Sequence, residues 1–249
     1  MLKLKILPKK DKIDNSWSVE KIVKEYTPQS WENVFENSIN ELKDISDILE
    51  EDRKENGERL PNNHDLFRAF QVTPLHKVRV VIIGQDPYHS VMSDGTPLAT
   101  GMAFSVPRNS QIPSSLRNIF KELKNTVPEF NNPTHGDLTN WAIQGVLLLN
   151  SCLTVRPGRP DCFKQIWSGF LKKVINEILE VNPNCIFVAW GNNAQKFASK
   201  FVGERAVILT AVHPSGLSAN RGFFGCDHFN KINQLLTELK SPAIDWNLY

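Results

Sequence analysis

Four short runs of apolar, largely β-branched residues punctuate this chain, and each stops at a residue able to do chemistry. Residues 78–83 (VRVVII) run into Gly84-Gln85-Asp86-Pro87-Tyr88-His89. Residues 146–149 (VLLL) end at Asn150, and 185–190 (CIFVAW) end at Gly191-Asn192-Asn193. Residues 207–211 (VILTA) lead through Val212 to His213-Pro214-Ser215. Runs of this length and composition suit strands buried on both faces. The segments between them carry helical periodicity, and strands separated by helices pair in parallel. The expectation is an α/β fold: a single three-layer domain whose central, mostly parallel four-stranded sheet is flanked by helices on both faces. Open parallel sheets bind ligands beyond the carboxyl ends of their strands. An acid, an amide, a glycine turn and a histidine therefore converge on one crevice, which is the argument for an enzyme.

At 249 residues, 41% of them hydrophobic, the chain can bury one large core. A net charge of only +2 does not announce a nucleic-acid binder, so any basic footprint must be local. Cys152, Cys162, Cys185 and Cys226 lie far apart with no C-x-x-C pair, and Cys226 beside His228 is a weak signal, so no metal site is expected. Cys152 and Cys185 sit in or beside apolar runs and read as buried free thiols, which points to a reducing, intracellular setting. The basic start, MLKLKILPKK, has neither a long apolar stretch nor a small-residue cleavage site. Neither a signal peptide nor a membrane span is expected.

Residues 1–28 read as a polar, irregular arm loosely docked on a domain of residues 29–249. Ser30 is a plausible N-cap for a helix with the stripe Trp31, Val34, Phe35, Ile39, Leu42, Ile45 and Leu49. Residues 50–63 read as a solvated end or loop, and Asp65 as the cap of a short helix. The stretch 85–101, rich in Pro, Gly, Ser and Asp, is a long loop of the kind that carries function. Ser114 or Ser115 can cap the next helix, and the stripe from Ile166 to Leu179 predicts another that Pro183 stops. A shorter helix over 194–202 and a last one from near His228 complete the pattern.

Each candidate residue has a plain reading beside a chemical one. Asp86 is a loop or helix cap, or a carboxylate that polarises water or stabilises a developing cation. Asn150 caps a turn, or reads a planar amide-like edge with its donor and acceptor. His213 is structural, or it opens a working loop in which Ser215, Ser218 and Asn220 donate to phosphate and Arg221 adds charge. Leu217 is a docked loop leucine, or an apolar wedge between bases. Phe104 is core, or a platform for stacking. Gly191-Asn192-Asn193 ahead of a helix suits an anion.

Taken together, GQDPYH (84–89), GMAFSV (101–106), GVLLLNSCLTVR (145–156), HPSGLSANRGFFGCDHF (213–229) and PAIDW (242–246) resemble family 1 of the uracil-DNA glycosylases. The similarity runs from about Trp31 to Trp246. It implies hydrolysis of the bond between uracil and deoxyribose, on a nucleotide flipped out of single- or double-stranded DNA, as the first step of base excision repair. By resemblance Asp86 positions the water and balances the sugar cation, and His213 stabilises the uracil anion at O2. Asn150 reads the pyrimidine edge, Tyr88 blocks a thymine methyl, Phe104 stacks on the base, and Gln85 contributes near the pocket. Leu217 enters the duplex. Ser115, Asn192 and Ser215 fall in loops that the family uses to grip phosphates. No cofactor or metal is implied. The expected protein is a monomer, away from membranes, that a DNA-mimicking inhibitor or a replication partner can engage.

The departures from the family pattern cluster. Pro113-Ser114-Ser115 stands for Pro-Pro-Ser, Gly191-Asn192 for Gly-Ser, and Gly216 and Asn220 for Pro and His. Ser90 replaces a glycine, and the loop before Gly101 is several residues longer. None falls on Asp86, Tyr88, Phe104, Asn150 or His213. The expectation is intact chemistry with altered handling of DNA. The alternative is a non-catalytic DNA-binding or replication accessory protein on the same fold.

Overall fold

The computed structural model describes residues 13–249. Four strands, β1 (Val80–Gly84), β2 (Val146–Asn150), β3 (Ile186–Trp190) and β4 (Ile208–Ala211), form one sheet in the order β2-β1-β3-β4. Every pairing is parallel. The four apolar runs are therefore the four strands, and the sheet is parallel throughout. Every residue of β1, β2 and β3 is buried. Because alternate strand residues point to opposite faces, both faces of the sheet must be covered. The edge strand β4 is only partly covered.

Nine helices surround the sheet among the described residues: α1 (Val19–Tyr26), α2 (Glu32–Glu36), α3 (Ile39–Asn56), α4 (Arg68–Val72), α5 (Ser114–Thr126), α6 (Thr139–Ile143), α7 (Ser168–Val181), α8 (Asn192–Phe201) and α9 (His228–Glu238). In α7 the buried stripe Phe170, Leu171, Val174, Ile175, Ile178 and Leu179 is the one the periodicity predicts, and the helix stops two residues before Pro183.

Four local expectations are corrected. The N-terminal arm is not irregular where it is described. Ser18 caps α1 by accepting from the Lys21 N–H, and Val19, Ile22 and Val23 are buried against the core. Asn63 ties the preceding stretch down through its amide, which donates to the carbonyls of Asp14, Asn15 and Trp17. Residues 1–12 of the expected arm lie outside the described residues. Ser30 does not cap a helix: it stands at φ 73° and its Oγ accepts from the Leu75 N–H at 2.8 Å. The apolar stripe that follows is split at Asn37-Ser38 into α2 and α3, and α3 continues to Asn56 through the charged stretch expected to be a solvated end. Likewise α5 starts at Ser114 without a side-chain cap, so neither Ser114 nor Ser115 is spent on one.

The long loop after β1 is partly ordered as a small hairpin. Val91 bridges Pro97, Met92 N–H donates to Thr96 O, and Leu98 N–H donates to Ser90 O.

In this strand order β1 is flanked by β2 on one side and β3 on the other, so the chain winds in opposite directions from it. The carboxyl ends of β1 and β3 bound a topological switch point, where open α/β sheets hold their ligands. Residues 85–89 leave β1 there, and Gly191-Asn192 leave β3 there.

Candidate active site

A pocket of about 240 Å³ opens beyond these strand ends, lined among others by Asp86, Tyr88, Phe104, Ser115, Asn150 and His213. That is below the range of about 300–1,000 Å³ common for drug-sized ligands, and it suits one planar ring. Gln85 lines it as well.

Parallel pairing brings Gly84 opposite Asn150. Asn150 is buried, with its Oδ1 lying against the Gly84 Cα where any Cβ would collide with it. The glycine is thus required by the approach of the amide. Among the described residues nothing hydrogen-bonds the Asn150 side chain, which leaves its donor and acceptor to the pocket.

Asp86 follows on the turn after β1. Its Oδ2 accepts from the Asp161 N–H at 2.8 Å, while Oδ1 is buried without a partner. Burial pushes the carboxyl above the usual aspartate range, and the neighbouring Asp161 charge adds to this against the hydrogen bond from its N–H. Tyr88 is raised in the same way by burial, and its hydroxyl reaches the Phe104 carbonyl at 3.5 Å. Phe104 itself adopts φ 63°, an uncommon conformation for a bulky residue. Its ring packs on Trp190 at 5.7 Å and lies 6.0 Å from the His213 ring.

His213 follows β4. Its Nδ1 accepts from the Ser215 N–H at 3.0 Å, which places the proton of the neutral ring on Nε2. Burial lowers its pKa, favouring that neutral ring. Gly191, at φ 86°, lets the ring sit close: a Cβ there would stand 2.8 Å from His213 Cβ.

The loop after His213 is knotted by its own hydroxyls. Ser218 Oγ donates to His213 O at 2.7 Å and shares a 2.9 Å hydrogen bond with Ser215 Oγ. Asn118 of α5 donates to the Pro214 carbonyl. Gly216 has open space around it, and Leu217 projects from the tip with 88% of its surface exposed. A docked leucine is excluded by that exposure. Asn192, Ser218 and Arg221 line a second depression of about 620 Å³ that shares Gln85 and His213 with the first. Asn192 and Asn193 open α8 as its first residues, two earlier than the expected start at 194. Their N–H groups therefore belong to the unpaired first turn of a helix.

Three residues in or behind the loops of the site have no counterpart in the sequence reading. Asp161 and Lys164 sit beside Asp86, and Glu122, fully buried in α5, accepts from the N–H groups of Gly225 and Asp227. Asp161 is remote in sequence from Asp86, and Glu122 from Gly225 and Asp227, so no local pattern marks them. Among the described residues, no group of three or more His, Cys, Asp or Glu side chains is placed to hold a metal ion.

Known proteins share this sequence pattern and fold. Residues 70–237 match the model of the Uracil DNA glycosylase superfamily. The uracil-DNA glycosylase of Francisella tularensis subsp. tularensis (strain WY96-3418) is 44% identical over 208 residues, 83% of this chain and 92% of that protein. That of Francisella tularensis subsp. novicida (strain U112) is 47% identical over 189 residues, 76% and 84% of the two chains. Among solved structures, mimivirus uracil-DNA glycosylase superposes with a TM-score of 0.82 at 30% identity, covering 88% of this chain and 86% of its own. A single-substitution variant of mimivirus UNG in complex with UGI gives 0.85 at 29% identity, covering 92% and 91%. The chain belongs to the uracil-DNA glycosylase superfamily.

Proposed function

We infer that this protein releases uracil from DNA by hydrolysing its N-glycosidic bond, leaving an abasic site. The observation that carries the reading is the meeting of Asp86, Asn150 and His213 around a ring-sized pocket at the sheet's switch point, in a chain of this family.

The roles follow from the geometry. A base inside a duplex is out of reach, so the nucleotide must turn out into the pocket. Phe104 offers its ring to the base, and the unpaired Asn150 amide offers a donor and an acceptor to the pyrimidine edge. Cytosine presents an amino donor where uracil has an acceptor, so the same amide rejects it. Tyr88 closes the space that a thymine methyl needs. As the glycosidic bond lengthens, positive charge grows on the sugar and negative charge on the base. The Asp86 carboxylate faces the first, and its unpartnered Oδ1 is free to orient the attacking water. His213 Nε2–H donates to the base oxygen as it gains charge, and burial, by lowering the ring's pKa, favours the neutral form that does so. In this partly buried site both effects are stronger than in water.

Leu217 fills the space the nucleotide leaves, and Ser115, Asn192, Ser215, Ser218 and Arg221 hold flanking phosphates. The exposed loop also suits an acidic protein that imitates DNA, in line with the UGI complex of the mimivirus relative. The four free cysteines support a reducing, intracellular setting. A purely DNA-binding accessory has no use for a buried carboxylate oxygen left without a partner.

The test is to incubate the protein, in chelator, with oligonucleotides differing in one base: uracil, cytosine or thymine. Alkali-labile sites are expected at uracil alone. Tight binding of the uracil strand without base release is the result that overturns the reading.

A further inference from the structure

Asp86 does not stand alone at the end of β1. Its Oδ2 takes the Asp161 N–H at 2.8 Å, and the Asp161 carboxylate takes the Gln85 side-chain amide at 3.1 Å. The same amide lies 3.5 Å from Asp86 Oδ2. Asp161 stands at φ 61°, in the left-handed region that Asp and Asn enter more readily than other side chains. In that conformation one residue serves Asp86 with its backbone and Gln85 with its side chain. Lys164 Nζ lies 3.5 Å from Asp161 Oδ1 and donates to Asn193 Oδ1, in the first turn of α8, at 3.0 Å. A continuous polar chain thus joins the acid to the helix end assigned to a phosphate.

We propose that Asp161 is a positioning residue for the glycosylase reaction: its N–H and carboxylate hold Asp86 and Gln85 in register, and its negative charge stands beside the acid, opposed by Lys164. The proposal rests on the reading of Asp86 as the group that orients the water. With Oδ2 held by the Asp161 N–H, Oδ1 is the carboxylate oxygen left without a partner.

The charges give the proposal a signature that packing alone does not. Adjacent carboxylates oppose each other's ionisation, and a nearby ammonium favours it. Around Asp86, burial raises Tyr88 and the Cys152 thiol and lowers His213. His89 sits exposed at the rim of the pocket. Asp161 raises Asp86 and Lys164 lowers it. Asp86 must be ionised to act, so the rate falls on the acid side as it takes up a proton. Removing the Asp161 charge should carry that acidic limb to lower pH, and removing the Lys164 charge should carry it to higher pH.

The experiment is a pH profile of single-turnover uracil release from a single-stranded oligonucleotide at saturating enzyme, for the parent, Asp161→Asn, Asp161→Ala and Lys164→Met. Asp161→Asn keeps the backbone N–H, an acceptor oxygen and tolerance of the left-handed backbone. Its plateau rate should stay close to the parent's while its limb moves down. Asp161→Ala should lose plateau rate as well. Lys164 is exposed, so its replacement leaves the fold alone while the limb moves up. An active parent whose limb stays put in both charge variants, or moves the same way in both, overturns the role of Asp161. A parent that releases no uracil at any pH overturns the reading of Asp86, and this proposal with it.

Discussion

Gly84 has no side chain, yet it decides where the Asn150 amide can go. A methyl group there would meet both Asn150 Oδ1 and, at 2.9 Å, Ala103 Cβ. Gly84→Ala should therefore displace the amide and slow uracil release by about 10–100-fold, the cost of a mispaired buried polar group. Steady-state kinetics on a uracil oligonucleotide checks it, with a melting curve to show that the sheet survives. Asn150→Asp asks a sharper question of the same contact. It replaces a donor with an acceptor, so uracil release should fall and cytosine release should become detectable. Unchanged preference for uracil would take Asn150 off the pyrimidine edge. At this scale the sequence was informative about Asp86, Asn150 and His213 because each ends an apolar run. It was silent on Asp161, whose partners Gln85 and Asp86 lie about 75 positions upstream and meet it only through the fold.

Among the elements, the loop after β4 carries the most distinctive change. Hydrogen bonds among His213, Ser215 and Ser218 tie its base, but Gly216 and Leu217 stand clear of the body. A glycine there has freedom to lose when DNA binds. Gly216→Pro, at a position where a Cβ meets nothing, should tighten duplex binding by about 0.4–1 kcal/mol if the bound loop resembles the free one. Leu217→Ala should reduce excision from duplex by about tenfold or more, because unstacking a base step costs a few kcal/mol. Excision from a single strand, which has no stack to open, should hardly change. Comparing the two substrates in one assay separates a wedge from a loop that merely packs. The helices show where periodicity stops being a guide. α7 was legible because six apolar residues keep one stripe across an uninterrupted helix. α1 was not, because only Val19, Ile22 and Val23 are apolar and inward in a segment otherwise charged. The break between α2 and α3 keeps the buried positions in phase through Ser38, so the pattern reads straight through it, although Ile39, counted in the stripe, is exposed.

For the molecule as a whole, strand order makes the site, and the sequence carries composition but not order. The four runs announced a parallel sheet and a crevice. That β1 lies between β2 and β3, with the switch point beside Asp86, needed the pairings themselves. The same core ties stability to pH. His228 is buried, takes the Trp190 indole N–H on Nδ1 at 3.0 Å, and is pushed by burial from 6.5 to about 4. A neutral buried histidine stabilises the fold above its unfolded pKa, and that contribution fades as pH falls from 6.5 toward 4. His213, lowered in the same direction, adds to the trend. Tm should therefore decline across this window, and His228→Asn, which keeps an acceptor but does not titrate, should flatten the decline. Equal slopes in the two proteins would remove His228 from the account.

The central claim is that the Asp86 carboxylate, half-buried at the switch point with one oxygen held and one free, drives release of uracil. Its most direct test is single-turnover cleavage of a uracil-containing single strand by the parent and by Asp86→Asn, with binding of the same strand measured in parallel. The account predicts that the variant binds about as well and cleaves slower by on the order of 10²–10³ or more. Equal cleavage rates in the two proteins would contradict it.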